Sequence, residues 1–339
     1  MPLRGSQLLP WHSEIWERIQ TSRRLDRLPH ALLLTGAKGL GKRCFAEVLA
    51  GSLLCHSPQA SGEPCGVCRD CHLFNAGTHP DFQVIEPEEP GKVIKIGAIR
   101  DYTNKVVLTA QGGGFKVVLV EPADAMNRSA ANSLLKTLEE PVDRTLILLI
   151  TSAPVRLPAT VRSRCQHLKM KMPERTLAVN WLTQQIMGDC NPQLLLDFAC
   201  GAPLLALSLS SSDVLEVRIK LFEQFAAILN NELNPVVVAS EWGKLDAAQV
   251  IGWYTGWLID CLRLQADPNY QGILNPDQRG RLHRIAETIE SRHLFRLLDG
   301  AYQAAQGIRA GARLNQQMMM EELLLSLEAS GESNTETHA

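Results

Sequence analysis

The stretch Ala31–Leu54, ALLLTGAKGLGKRCFAEVLAGSLL, decides the fold. Ala31–Thr35 is a short apolar run of the length a buried strand needs. Gly36–Lys42 then spells G-x-x-x-x-G-K, a loop whose backbone N–H groups can cradle a triphosphate. Phe45, Val48, Leu49, Ser52 and Leu53 follow at i, i+3, i+4, i+7 and i+8, one face of a helix. Strand, glycine loop and helix in that order are the context the motif requires, so the chain opens with a P-loop α/β domain. The phosphate-binding residues would be Gly36, Gly39, Gly41 and Lys42. One position departs from the motif: the residue after the lysine should carry a hydroxyl for Mg²⁺, and here it is Arg43.

Outward from this stretch, Pro10–Arg24 has the apolar spacing of a helix through Trp11, Ile15, Trp16 and Ile19. Strands are predicted at Asp81–Glu86, Lys116–Val120, Thr145–Thr151 and His167–Met170. Between them lie predicted helices at Ile96–Val107 and Ser129–Glu140, the second stopped by Pro141, and a glycine turn at Gln111–Gly114. Buried strands alternating with helices give a parallel sheet covered on both faces. After Met172 only helical patterns remain. Short ones are predicted at Glu174–Met187 and Pro192–Cys200, and a third begins at Gly201–Pro203. Long amphipathic segments run from Asp213 to Leu327, broken near Asn234–Pro235 and Asn275–Pro276. The expected domains are therefore 1–171 (P-loop domain), 172–211 (small helical lid) and 212–329 (helical), with 330–339 a polar, disordered tail.

The 339 residues carry a formal net charge of −2, and 45% of them are hydrophobic, as in an ordinary globular protein. Nothing global marks a stand-alone nucleic-acid binder. No apolar run approaches the about 20 residues of a membrane span, and Met1–Gln20 lacks the layout of a secretory signal. The cytoplasm is the expected compartment.

Of nine cysteines, four cluster as Cys55-x9-Cys65-x2-Cys68-x2-Cys71. Four thiolates close a tetrahedral structural Zn²⁺ site and leave no open position for water. Structural zinc is the expected cofactor, with reduced surface thiols or a redox pair as the alternative. His56, His72 and His79 are the substitute ligands on offer.

Hydrolysis needs acidic groups at the end of a strand neighbouring the phosphate loop, to hold Mg²⁺ and orient water. Glu121 follows the strand Lys116–Val120, but Pro122 stands next, with Asp124 beyond. Proline cannot polarise water. Arg43 and Pro122 thus remove two parts of the machinery in two motifs. Two readings of Lys42 stand: residual ATP binding, or a solvated lysine beside an empty loop. Arg164, in Ser163–Cys165, is by itself an ordinary surface arginine.

One family ties these residues together. Leu28–Leu34 (LPHALLL), the four-cysteine insert, Thr78–Asp81 (THPD), Ala131–Pro141 (ANSLLKTLEEP) and Ser163–Cys165 (SRC) together resemble the AAA+ clamp-loader ATPases of bacterial DNA polymerase III. The resemblance runs from about residue 10 to 210, and the helical remainder fits the family's collar domain more loosely. The family's motor subunits (gamma/tau) keep the hydroxyl and the acidic pair that this chain lacks. Nor is there an arginine at Leu204 or Leu205, where a motor carries its sensor arginine. The departures are similar to those of the family's non-hydrolysing stator. The resemblance implies that Arg164 reaches as an arginine finger into the ATP site of an adjacent motor subunit. It implies partnership with gamma/tau and delta subunits and, indirectly, with the sliding clamp and primer–template DNA at the bacterial replisome. Two rivals are a working AAA+ ATPase with Glu121 as metal ligand, and a zinc-dependent DNA reader. The second is poor in charge, because Arg69 is the single basic residue between Cys55 and Cys71 against Glu63 and Asp70.

Overall fold

The computed structural model describes residues 7–89, 91–106, 114–186, 190–210, 214–309 and 315–328. Two compact units divide the chain. The first is residues 1–184 with 201–205, and the second is 185–200 with 206–339. The predicted lid, 172–211, is thus shared between them, because Gly201–Leu205 is tied into the first unit. The tail at 330–339 and most of the Gln111–Gly114 turn lie outside the described residues.

In the first unit, α1 (Ser13–Arg24) precedes β1 (Ala31–Thr35), and α2 (Lys42–Leu54) follows the glycine loop. Next come α3 (Arg69–Asn75), β2 (Phe82–Ile85), α4 (Ile96–Val106), β3 (Lys116–Val120), α5 (Arg128–Glu139) and β4 (Thr145–Thr151). The unit continues with α6 (Ala159–Arg162), β5 (Gln166–Lys169) and α7 (Arg175–Gln185). The five strands form one sheet in the order β2-β3-β4-β1-β5, parallel throughout. Every residue of β1 and β4 is buried, which is why both read as unbroken apolar runs. Alternation along β1 feeds two cores. Leu32 and Leu34 pack with Phe45, Leu49 and Leu148 of α2 and β4, while Ala31 and Leu33 pack with Ile99, Leu134 and Leu149 on the opposite face.

β1, β3 and β4 have the predicted bounds, and β2 and β5 differ from theirs by one residue at each end. The helix α3 inside the cysteine segment was not predicted. Its first turn is organised by sulfur, with Cys68 as N-cap accepting the Cys71 N–H.

In the second unit, α8 (Pro192–Phe198) and the latter part of α9 (Pro203–Ser210) precede α10 (Val214–Leu229) and α11 (Pro235–Trp242). Then follow α12 (Ala247–Ala266), α13 (Arg279–Thr288), α14 (Ser291–Arg309) and α15 (Gln316–Glu328). Asn234 caps α11 at the predicted break, and Asp246 caps α12 at a further break that helical periodicity does not mark. Phe222, Phe225, Tyr254 and Trp257 interlock edge-on or tilted, with ring centroids 5.2–6.1 Å apart. A buried polar network pins the turn before α13. Asp260 accepts the Leu274 and Asn275 N–H groups at 2.8 and 2.7 Å, and Arg218 reaches Asn275 and Asp277 at 2.6 and 2.8 Å. On α14, Leu294, Leu297 and Leu298 are buried while Tyr302 faces solvent, and on α15 Met319 and Met320 are buried while Met318 is exposed. Among the described residues, no single helix is long and apolar enough to cross a membrane.

Candidate functional site

The phosphate loop lies at the carboxyl end of β1, between β4 and β5, where open α/β sheets bind ligands. Here the loop is bonded to its own chain. The Lys42 ammonium donates to the Gly36 carbonyl at 2.9 Å, the Ala37 carbonyl at 2.6 Å and Ser152 Oγ at 3.0 Å. An ammonium has three N–H groups, so none remains for a phosphate in this arrangement. Burial pushes its pKa down, against the opposing charges of Glu121 and Asp124. The Leu40 carbonyl accepts from Trp11 Nε1 at 3.0 Å and lies 2.9 Å from His12 Nε2. The Leu204 N–H donates to the Gly39 carbonyl at 3.1 Å. Gly39 has φ of +84°, and a Cβ there would sit 2.8 Å from the Leu205 Cβ, so the segment Gly201–Leu205 is seated directly on the loop.

Arg43 does more than remove a hydroxyl. Its Nε donates to Glu47 at 2.9 Å, and one Nη donates to Glu86 at 3.0 Å and Glu121 at 3.2 Å. Burial opposes the charge on Arg43, but the hydrogen bonds to Glu47 and Glu86 and the charge of Glu121 outweigh it and raise its pKa. Burial raises the pKa of Glu121, and Arg43 counteracts that rise. One guanidinium therefore pairs with three carboxylates, Glu121 at the end of β3 among them. Asp124, the next acid along, accepts from Thr151 Oγ1 at 2.6 Å. The sequence reading missed Glu47, Glu86, Thr151 and Ser152. Glu47 was legible as an i,i+4 partner of Arg43. The others are brought in by strand order alone.

The four cysteines converge. All four Sγ atoms lie within 4.8 Å of one another, with Cys55–Cys68 and Cys65–Cys71 each at 3.9 Å. Bonds of about 2.3 Å to a tetrahedral zinc set sulfurs about 3.8 Å apart. A disulfide requires about 2.05 Å, so these are free thiols with the spacing of a metal cage. The Cys65, Cys68 and Cys71 N–H groups point at Cys55, Cys65 and Cys68 Sγ at 3.3–3.4 Å, which favours thiolates. Donation from the Val67 and Cys68 N–H groups pulls the Cys65 thiol down to about 6, while burial pushes the Cys55 and Cys71 thiols up. The residues present fit a metal ion. Of the substitute ligands, His79 is engaged elsewhere: its Nδ1 accepts the Asp81 N–H at 3.1 Å and its Nε2 faces Asp70 at 3.7 Å. Trp16 Nε1 donates to the Ser61 carbonyl at 2.9 Å and Ser52 Oγ to the Gly62 carbonyl, joining the cysteine loop to α1 and α2.

Arg164 follows α6 on the surface, away from this chain's own phosphate loop in sequence and in hydrogen bonding. One Nη donates to the Thr160 carbonyl at 2.9 Å and the other meets Glu139, the last residue of α5, at 2.6 Å.

Two family models match the chain: "DNA polymerase III, delta subunit" over residues 11–174, and "DNA polymerase III, delta subunit, C terminal" over residues 212–329. The DNA polymerase III subunit delta' of Pseudomonas aeruginosa is 36% identical over 322 residues, covering 94% of this chain and 97% of its own. That of Escherichia coli is 31% identical over 321 residues, covering 94% and 95%. The tau subunit of Escherichia coli is 31% identical over 227 residues, 67% of this chain and 34% of its own length. With the phosphate loop, the cysteine cage and near full-length similarity all in hand, the chain belongs to the delta' subunits of DNA polymerase III.

Proposed function

We propose that this chain is the non-hydrolysing stator of a DNA polymerase III clamp loader. In that role it assembles with gamma/tau motor subunits and a delta subunit in the bacterial cytoplasm. The assembly opens a sliding clamp and places it on primer–template DNA. The observation that carries the reading is Arg43, which stands where a hydrolytic loop carries its Mg²⁺-binding hydroxyl and pairs its guanidinium with Glu121, the acid that would hold the ion, as well as with Glu47 and Glu86. Lys42, bonded to its own loop, adds support. An inert loop leaves Arg164 as this chain's contribution to ATP chemistry. A guanidinium delivered to a neighbour's γ-phosphate stabilises charge on the transferring phosphoryl group and is worth about 10³–10⁵ in rate. Cys55, Cys65, Cys68 and Cys71 would hold a structural Zn²⁺, which in a closed four-sulfur site contributes to folding rather than to catalysis.

Equilibrium dialysis of the purified chain against MgATP tests the inert loop. No stoichiometric binding is expected at ATP concentrations up to about 1 mM, the upper range of ordinary KM values. One ATP bound per chain at micromolar concentration, with turnover abolished by Lys42→Ala, would favour a working ATPase instead.

A further inference from the structure

We infer that Glu139 is a latch on Arg164, holding its guanidinium against its own chain until the triphosphate of a neighbouring subunit displaces it. The inference rests on the reading of Arg164 as a trans-acting finger and assigns a residue that controls it.

The latch joins two separate stretches of sequence. Glu139 is the final residue of α5, near the end of the Ala131–Pro141 run, and Arg164 sits two residues beyond α6. The fold brings their side chains to 2.6 Å, while the other Nη of Arg164 donates to the Thr160 carbonyl at 2.9 Å. Both terminal nitrogens of the guanidinium are thereby engaged within the chain. A carboxylate and a phosphoryl group offer the same acceptors to the guanidinium fork, so they compete for it. Glu139 acts as an intramolecular substitute for the phosphate.

The exposure of the pair fits a contact that opens in use. The side chains retain 36% (Arg164) and 51% (Glu139) of their surface, so the arginine can swing outward with no change to the core. A half-exposed pair of this kind biases an equilibrium by no more than about fivefold. That is too weak to block the finger and strong enough to set how much ATP is needed to recruit it. With Glu139 neutralised, the Thr160 carbonyl still receives one Nη, so Arg164 keeps an anchor.

The latch acts equally against the bound ATP and the transition state, so its loss alters apparent ATP affinity rather than maximal rate. The test uses the complete assembly of motor subunits, delta subunit and this chain. Turnover stimulated by clamp and primed DNA is measured against ATP concentration. Glu139→Gln, which keeps the shape and removes the charge, is expected to lower the half-saturating ATP concentration about two- to fivefold at unchanged maximal rate. Glu139→Asp is expected to restore part of the wild-type value. In the free chain, the Arg164 guanidinium nitrogens should exchange environments faster in Glu139→Gln than in wild type by ¹⁵N NMR.

An unchanged or increased half-saturating concentration in Glu139→Gln, with Arg164→Ala still impairing turnover, overturns the latch alone. That outcome would make Glu139 an idle surface partner or a strut that holds the finger ready. No effect of Arg164→Ala in the same assay removes the finger reading itself, and the latch with it.

Discussion

Replacing Arg164 with alanine is expected to slow ATP hydrolysis at the adjoining motor site by about 10³-fold or more. At about 1.4 kcal/mol per decade this is a loss of at least about 4 kcal/mol of transition-state stabilisation. The change removes no buried contact, because Arg164 is on the surface and its partners are a half-exposed carboxylate and a carbonyl. Folding and assembly of the variant should therefore match wild type, which size-exclusion chromatography and thermal melting check. Clamp- and DNA-stimulated steady-state turnover of the assembly reads out the loss. A retained rate in an intact assembly would reduce Arg164 to a surface charge.

Denying the cysteine cage a metal is expected to give the second large effect. Structural zinc contributes about 10–16 kcal/mol of apparent binding free energy in small zinc-dependent folds. The loop between Cys55 and Cys71 carries Gly62, Pro64 and Gly66 and little that could form an apolar core. Without a cation, the four sulfurs gathered within 4.8 Å lose the charge that offsets the repulsion between thiolates. The surrounding sheet has its own two cores and should persist. A third of the lower figure, about 3 kcal/mol, corresponds to about 6–12 °C of melting temperature for a unit of this size. Protein purified without chelator is expected to carry one zinc per chain by elemental analysis. Cys68→Ser or exhaustive chelation should lower the melting temperature by that amount. Amide protection should be lost across residues 55–75 and retained in the strands. Well under one zinc per chain, or a melt indifferent to chelation, would leave the cluster as plain thiols.

The parts of this molecule that were legible in the sequence are those governed by local pattern. Ala31–Thr35 and Thr145–Thr151 read as buried strands because both their faces are covered, so apolar residues run without alternation. The glycine loop and the four cysteines declare themselves by spacing, since backbone approach and metal geometry each fix which residue types fit. The breaks at Asn234 and Asn275 were marked by Asn-Pro pairs, whereas the one at Asp246 rests on a single capping side chain. Helix α3 was hidden because its apolar residues are few and its start is set by a sulfur cap.

Partners across the sheet were not legible at all. Lys42 meets Ser152 and Arg43 meets Glu86 and Glu121 because the chain leaves β4, β2 and β3 on the side of the sheet where the loop lies, at sequence separations no local pattern reports. The sequence therefore indicated that hydrolytic groups were missing. The fold adds that the Arg43 guanidinium is paired with Glu47, Glu86 and Glu121. Glu139 is a similar case, since its proximity to Arg164 depends on where α5 and α6 end.

As proposed above, this chain completes a neighbour's ATP site and has no use for its own. The most direct measurement compares two variants side by side in the reconstituted assembly. Lys42→Ala disables this chain's phosphate loop, and Arg164→Ala removes the finger. The expected result is wild-type turnover with Lys42→Ala and loss of stimulated turnover with Arg164→Ala. Loss with Lys42→Ala and wild-type turnover with Arg164→Ala, both variants folded and assembled, would instead identify this chain as a motor.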